Sequence, residues 1–309
     1  MLRRREFVVG AGALAVASAA GIRRSAAIAA EMAEPERGSD IIGTPRIHVA
    51  RHEDTLVTIA RENDVGFVEL RLANPGVDVW LPGEGTRISL PTQRILPNAP
   101  REGIVLNLSE MRFYYYNPET SQVRTHPIGI GREGRGTPTG TTRIVRRQHL
   151  PTWYPPASIR AERPELAGAV PPGPDNPLGE HALYFDWPAY LMHGTNTPEG
   201  VGRRVSAGCI RMYPEDIETV FEIVPINTLV TIVDQEVKLG WHEGELYLEV
   251  NPSQDQADEI EMQGDFTRRL PENLVARVMD EAGDRRNDVA LDDVRRIGMF
   301  RPGYPIRIT

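Results

Sequence analysis

The pattern of apolar and polar positions changes several times along the chain, and each stretch predicts its own elements. An apolar run from Phe7 to Ile22, rich in Ala and Gly, follows Arg3-Arg4-Arg5. Residues 31–46 are polar, with Pro, Gly and Ser, and read as a linker. From Ile47 to Pro91 the order is a strand (Ile47–Ala50), two helices (Thr55–Glu62 and Phe67–Ala73) and a closing strand (Thr86–Leu90). Leu56, Ile59 and Ala60 share one helical face, and Asp54 or Thr55 can cap that helix with a side-chain oxygen. From about Gly103 to Glu249 the pattern is one of short strands: Ile104–Leu108, Met111–Tyr116, Val123–Ile130, Thr142–Val145, Ala182–Phe185, Tyr190–Met192 and Leu229–Val233. Asp216–Ile223 is the clearest helix there, with Ile217, Val220 and Phe221 on one side and Pro225 ending it. In residues 252–309, Ser253–Gln263 is acidic and linker-like. Helices follow over Pro271–Ala282 and Leu291–Ile297, with a strand over Tyr304–Ile308. The fold class is therefore mainly β, sandwich or barrel-like, with a small α+β domain before it and a small helical extension after it.

Composition narrows the function. The 309 residues exceed one compact core, so more than one domain is expected. A formal charge of −8 argues against a nucleic-acid partner. Lys238 is the only lysine, and Gln235 stands three before it, so a Ser-x-x-Lys acyl-transfer site is excluded. The arginine pair before x-Phe and the weak apolar run read as a twin-arginine export signal over residues 1–30, with Ala27-Ile28-Ala29 as the cleavage site. No stable membrane span is expected after cleavage. Export leads to Cys209, the only cysteine, which has no partner for an internal disulfide. In an oxidising compartment it is either buried and inert or kept for its chemistry.

Cys209 sits in Ser206-Ala207-Gly208-Cys209-Ile210-Arg211, sixteen positions after His193. A free thiol is mostly protonated near neutrality, and an imidazole can take its proton and return it to a leaving amine. A strand leading into His193 would fix that side chain, and Gly194, Gly200 and Gly202 allow the chain to fold back. Backbone amides of Ala207, Gly208 and Cys209 are suited to a developing oxyanion. Arg211 either holds a carboxylate or belongs to a structural ion pair. The remaining histidines make no convincing ligand set, so neither a metal nor a cofactor is expected. The glycine-rich stretch 129–136 lacks the Gly-Lys-Ser/Thr ending of a phosphate loop and reads as a hairpin loop. The Pro/Gly-rich segment 151–179 is long enough to be a flap. Trp153, Tyr154 and Tyr184 either line a groove beneath it or pack in the core.

Two resemblances join these readings. Asp54-Thr55-Leu56, Ile59-Ala60, Leu70, Asn74, Leu81-Pro82-Gly83 and Ile88-Ser89-Leu90-Pro91 resemble a LysM peptidoglycan-binding domain over 47–91, with Glu53 where a glycine is usual. His193-Gly194-Thr195 with Ser206-x-Gly208-Cys209-Ile210-Arg211-Met212 resembles the signature of L,D-transpeptidases of the YkuD type, ErfK/YbiS-like branch, over about 100–250. Thr137-Pro138-Thr139-Gly140 and the Pro-rich runs at 151–156 and 171–179 resemble the same family. Ala207 replaces the usual histidine before Gly-Cys. The resemblance implies Cys209 as nucleophile, His193 as acid and base, and the Gly194 carbonyl as the group orienting the imidazole. It implies an oxyanion hole at Ala207, Gly208 and Cys209, and substrate contacts at Arg211, Ser206, Tyr184 and Trp153. The implied partners are peptidoglycan stem peptides and glycan, with a second stem, an outer-membrane lipoprotein or water as acyl acceptor, in the periplasm. Residues 252–309 are left as an accessory region. Rival readings are a sortase-like enzyme, disfavoured by the compact motif, and a non-catalytic wall-binding protein.

Overall fold

In the computed structural model the described residues are 32–33, 38–120, 122–166 and 168–309; the expected signal segment lies outside them. The N-terminal part runs β1 (Met32–Ala33), β2 (Ile41–Ile42), β3 (Arg46–Val49), α1 (Leu56–Glu62), α2 (Phe67–Ala73), β4 (Arg87–Leu90) and β5 (Arg94–Ile95). Thr55 caps α1 reciprocally: its Oγ1 accepts the Thr58 N–H at 3.0 Å, and Thr58 Oγ1 accepts the Thr55 N–H at 2.9 Å. Both helices close over the antiparallel β3–β4 pair, burying Leu56, Ile59, Ala60, Leu70, Ile88 and Leu90. The next two residues of interest on α2 point elsewhere. Phe67 and Val68 enter the main core of the following domain. Glu69 is buried between Arg112, at 3.0 Å, and Arg94. Burial alone would raise its carboxyl pKa, but the two guanidiniums outweigh burial and lower it.

The central part contributes β6 (Gly103–Asn107), β7 (Arg112–Tyr116), β8 (Val123–Pro127), β9 (Ile130–Gly131), β10 (Gly140–His149), α3 (Ala157–Glu162), β11 (His181–Phe185), β12 (Leu191–His193), β13 (Arg204–Ser206), β14 (Ile210–Arg211), α4 (Pro214–Ile223) and β15 (Leu229–Val233). Nine strands form one mixed sheet in the order β1-β8-β7-β6-β15-β10-β11-β12-β14. Its two faces explain β7, whose five residues are all buried. Phe113 and Tyr115 face the main core, whereas Tyr114 and Tyr116 join Val105 in a second core. The strand expected over Val123–Ile130 breaks after Pro127, because Gly129 leaves the sheet edge to bond Arg211. Pro214 opens α4 without needing an N–H partner, and Ile217 and Val220 are buried on the same core.

The chain then forms β16 (Val237–His242), β17 (Glu245–Val250), α5 (Gln254–Gln263), α6 (Leu274–Ala282), α7 (Leu291–Phe300) and β18 (Ile306–Arg307). The β16–β17 hairpin packs with α6 and α7 around Leu246, Leu248, Leu274, Val278, Val294 and Ile297. The linker reading of Ser253–Gln263 is corrected: it is a helix. Ser253 and Gln256 form a capping box, Gly264 ends the helix in a left-handed conformation, and Ala257 and Ile260 are buried in the main core. Lys238, on β16, is buried. Its Nζ donates to Ile95 O at 2.6 Å and lies 2.7 Å from carboxylate oxygens of both Glu110 and Glu249.

Candidate active site

The site begins with a parallel pairing at one end of the sheet. β12 and β14 align Met192 with Ile210 and His193 with Arg211. Cys209 lies one residue before β14, alongside Leu191. Alternation along paired strands therefore puts Cys209, Arg211, Leu191 and His193 on one face. Diagonal neighbours on one sheet face are typically about 7–8 Å apart, within reach of a long side chain.

His193 is buried. Its Nδ1 lies 2.5 Å from Gly194 O, so the ring donates there and leaves Nε2 unprotonated. Burial, then the Arg211 charge, push its pKa down to about 4 against the Gly194 carbonyl. Cys209 is half-buried, with Sγ donating to Ala189 O at 3.5 Å. Burial pushes the thiol up to about 11, against the Leu191 amide and Arg211. The resting pair is therefore a neutral thiol and a neutral imidazole. An ion pair formed in advance would require the opposite shifts.

The loop before Cys209 is pinned from within. Ser206 Oγ donates to Cys209 O at 2.6 Å and accepts the Gly208 N–H at 3.0 Å. Thr137 Oγ1 donates to Gly208 O at 2.9 Å. The Gly208 amide is thus engaged by Ser206, and the Ser206 hydroxyl braces the loop from within. The Ala207 and Cys209 amides have no hydrogen-bond partner among the described residues. Gly208 has φ +110°, and a Cβ there would stand 2.9 Å from Tyr190 Cε1, so glycine is required on both counts.

Arg211 is half-buried, and burial lowers its pKa. It donates to Thr197 Oγ1 at 3.3 Å, its buried Nε has no partner, and no carboxylate lies within ion-pair distance among the described residues. Of its two readings, the structural ion pair is not formed. Tyr184 pairs with Leu191 across β11–β12. Tyr184, Trp153 and Cys209 pack around Leu178, Ala182 and Leu191, whereas Tyr154 is exposed.

The segment 151–179 is held at its base by Asn176, which is fully buried. Its Nδ2 donates to Pro151 O at 2.7 Å and its Oδ1 accepts the Leu178 N–H at 2.9 Å. Glu162 on α3 pairs with Arg132, at 2.8 Å, and with Arg135, tying the segment to the 129–136 loop. Ala189, Tyr190, Thr137 and Thr197 were not singled out from sequence as site residues. Only Thr137, within its Thr-Pro-Thr-Gly run, carried a signal there. Elsewhere, Asp64, His126 and Asp216 bring ligand-type atoms within 4.8 Å of one another. Burial opposes charge on His126, but Asp216 and Asp64 outweigh it and push its pKa up to about 10, so an imidazolium already faces the two carboxylates.

Residues 101–232 match the YkuD family, the L,D-transpeptidase catalytic domain. The chain is 39% identical over 283 residues to Probable L,D-transpeptidase ErfK/SrfK of Salmonella typhimurium, covering 89% of this chain and 90% of that one. It is 39% identical over 284 residues to Probable L,D-transpeptidase YbiS of Escherichia coli K12, with the same coverage of each. Probable L,D-transpeptidase YcfS of the same strain is 43% identical over 215 residues, 67% of each chain. The chain belongs to the L,D-transpeptidase family.

Proposed function

We propose that this protein is a peptidoglycan L,D-transpeptidase that uses Cys209 as its nucleophile. His193 Nε2 takes the thiol proton as Sγ attacks the carbonyl at the L-centre of diaminopimelate in a tetrapeptide stem. The oxyanion meets the free amides of Ala207 and Cys209; one such donor contributes roughly 3 kcal/mol in the transition state. The imidazolium returns its proton to the leaving amine, D-alanine departs, and a thioester remains. An amine then attacks: the side-chain amine of a second stem, giving a 3→3 cross-link, or a lysine of an outer-membrane lipoprotein. Gly194 O holds the imidazole throughout, and Ser206 braces the loop. Arg211, which has no carboxylate partner among the described residues, receives the terminal carboxylate of the donor. Tyr184 and Trp153 line the donor groove.

The observation that carries this reading is the β12–β14 pairing, which sets a neutral, oriented imidazole on the same face as the one thiol. The strand–helix–helix–strand unit over 46–90 is read as a LysM-like glycan-binding domain. Its setting is the periplasm, reached by the twin-arginine route. No helix among the described residues is long and apolar enough to cross a membrane. The domain order is signal peptide 1–30, linker 31–46, glycan-binding unit 47–91, catalytic domain 100–250 and accessory region 252–309.

The test is D-alanine release from a disaccharide-tetrapeptide. The expected result is turnover by the native protein, loss to background in Cys209→Ala, and none on a D,D-pentapeptide end. Undiminished release by Cys209→Ala overturns the reading.

A further inference from the structure

Across the sheet from Cys209, β10 carries an irregularity that turns one arginine toward the site. The β10–β11 register pairs Ile144 with Phe185 but Arg146 with Tyr184, so one extra residue, Val145, is inserted on β10. Without that bulge Val145 would oppose Tyr184, and Arg146 would point to the opposite face. Such an insertion re-aims every side chain that follows it. Arg146 now stands in a row across four neighbouring strands: Arg146 on β10, Tyr184 on β11, Leu191 on β12 and Cys209 before β14. Its guanidinium lies 3.5 Å from the centre of the Tyr184 ring. Nη1 donates to Gln148 Oε1 at 2.9 Å, and Tyr184 Oη donates to the same oxygen at 3.4 Å. The charge is thus stacked and braced while the residue stays exposed, and no carboxylate pairs with it among the described residues.

We propose that Arg146 is a substrate-positioning residue that receives the side-chain carboxylate of the donor's diaminopimelate. This rests on the transpeptidase reading above. Besides the α-carboxylate of its γ-linked glutamate, the donor has two free carboxylates at different reach from the attacked carbonyl. The D-alanine carboxylate is three bonds away, which suits Arg211, two residues from Cys209. The diaminopimelate side-chain carboxylate is six bonds away, roughly 7–8 Å when extended, from bonds of about 1.5 Å. The guanidinium over Tyr184 lies two strand spacings from the strand of Cys209, about 10 Å. Adding the usual separation within a charge-assisted hydrogen bond, about 2.7–2.9 Å, to the donor's reach spans that gap. Tyr184 belongs to the same apolar cluster as Cys209, so an extended side chain lying along this row is flanked by Leu191 and Tyr184 until it meets the charge.

The experiment measures binding of two tetrapeptide donors, one with this carboxylate free and one with it as the carboxamide, to Cys209→Ala protein by calorimetry. A second protein adds Arg146→Gln, and a third adds Arg146→Lys. The expected result is about 10- to 100-fold weaker binding of the free acid on Arg146→Gln, as for loss of a charged hydrogen bond. The carboxamide should bind both proteins equally, and Arg146→Lys should recover part of the loss. In the native Cys209 background Arg146→Gln should raise KM for the free acid and leave kcat within about 3-fold. Equal losses for both donors, or none for either, overturn the assignment. Binding is read without turnover, so a failure of the transpeptidase reading appears separately, as absent D-alanine release by the Cys209 enzyme.

Discussion

At the residue scale the site is held in its uncharged form. His193 at about 4 and Cys209 at about 11 bracket a wide pH range in which the thiol keeps its proton and the imidazole has none. A thiolate is the reactive species toward alkylating agents. Alkylation of Cys209 by iodoacetamide without substrate should therefore be slow at pH 7 and climb through pH 9–10 toward about 11. A plateau already reached near pH 6 would mean a preformed thiolate–imidazolium pair. His193 also affects stability. Its pKa in the fold lies below the ordinary histidine value, so its contribution is intact above about pH 6.5 and falls as the pH drops from there toward about 4. Much of this scale was legible in the sequence, since a single thiol, an upstream histidine and a glycine between them are all visible as letters. The allocation of the Gly208 amide to Ser206 was not, because it depends on a hydroxyl rotating back into its own loop. Nor was Ala189, which presents its carbonyl to the thiol from φ +69°, a conformation that an alanine does not announce.

At the element scale, periodicity and caps located the helices wherever an apolar face was flanked by a signal. Thr55 and Pro214 mark α1 and α4 in this way. α5 was missed because its acidic residues dominate the composition. Its Ser-x-x-Gln cap and terminal glycine were present, but only the main core reveals that Ala257 and Ile260 form a buried face. The bulge at Val145 was equally hidden, since one inserted residue leaves the local composition of a strand unchanged. The segment 151–179 illustrates the converse. Its proline content marked it as more than a connection, and one side chain explains its shape. Asn176 is buried with both ends of its amide engaged, so Asn176→Ala leaves the Pro151 and Pro171 carbonyls and the Leu178 amide without that partner. The expected outcome is a loss of about 1–3 kcal/mol in denaturant unfolding, together with faster proteolytic cleavage within 151–179. Unchanged protection of that segment would show that the amide is not what holds it.

At the scale of the whole molecule, the N-terminal unit is tied to the central part by buried and surface charge pairs as well as by apolar contact. Glu69 meets Arg112 and Arg94, Asp64 and Asp216 enclose His126, and Arg61 forms a two-pronged pair with Glu215 at 2.8 and 2.9 Å. None of these pairings was visible in sequence, because each joins residues far apart in the chain. Glu69→Ala leaves two buried guanidiniums uncompensated and should cost about 3–5 kcal/mol, measured by thermal or denaturant unfolding. The histidine cluster sets a pH dependence of opposite sign to that of His193. Its folded-state pKa is raised, so its contribution is fully present below about pH 6.5 and is lost as the pH rises through about 10. In Asp64→Asn that loss of thermal stability should be smaller and be complete at a lower pH than in the native protein.

The placement of Lys238 has a consequence for the chemistry itself. Its ammonium is enclosed by a carbonyl and two carboxylates, and every other basic side chain on this protein that is always charged is a guanidinium. On the proposed mechanism, a thioester waiting for an amine faces a surface with no lysine of its own to capture the acyl group. Neighbouring copies crowded on the same substrate are equally inert, so the captured fragment can leave only on a foreign nucleophile, an incoming water or a chain terminus.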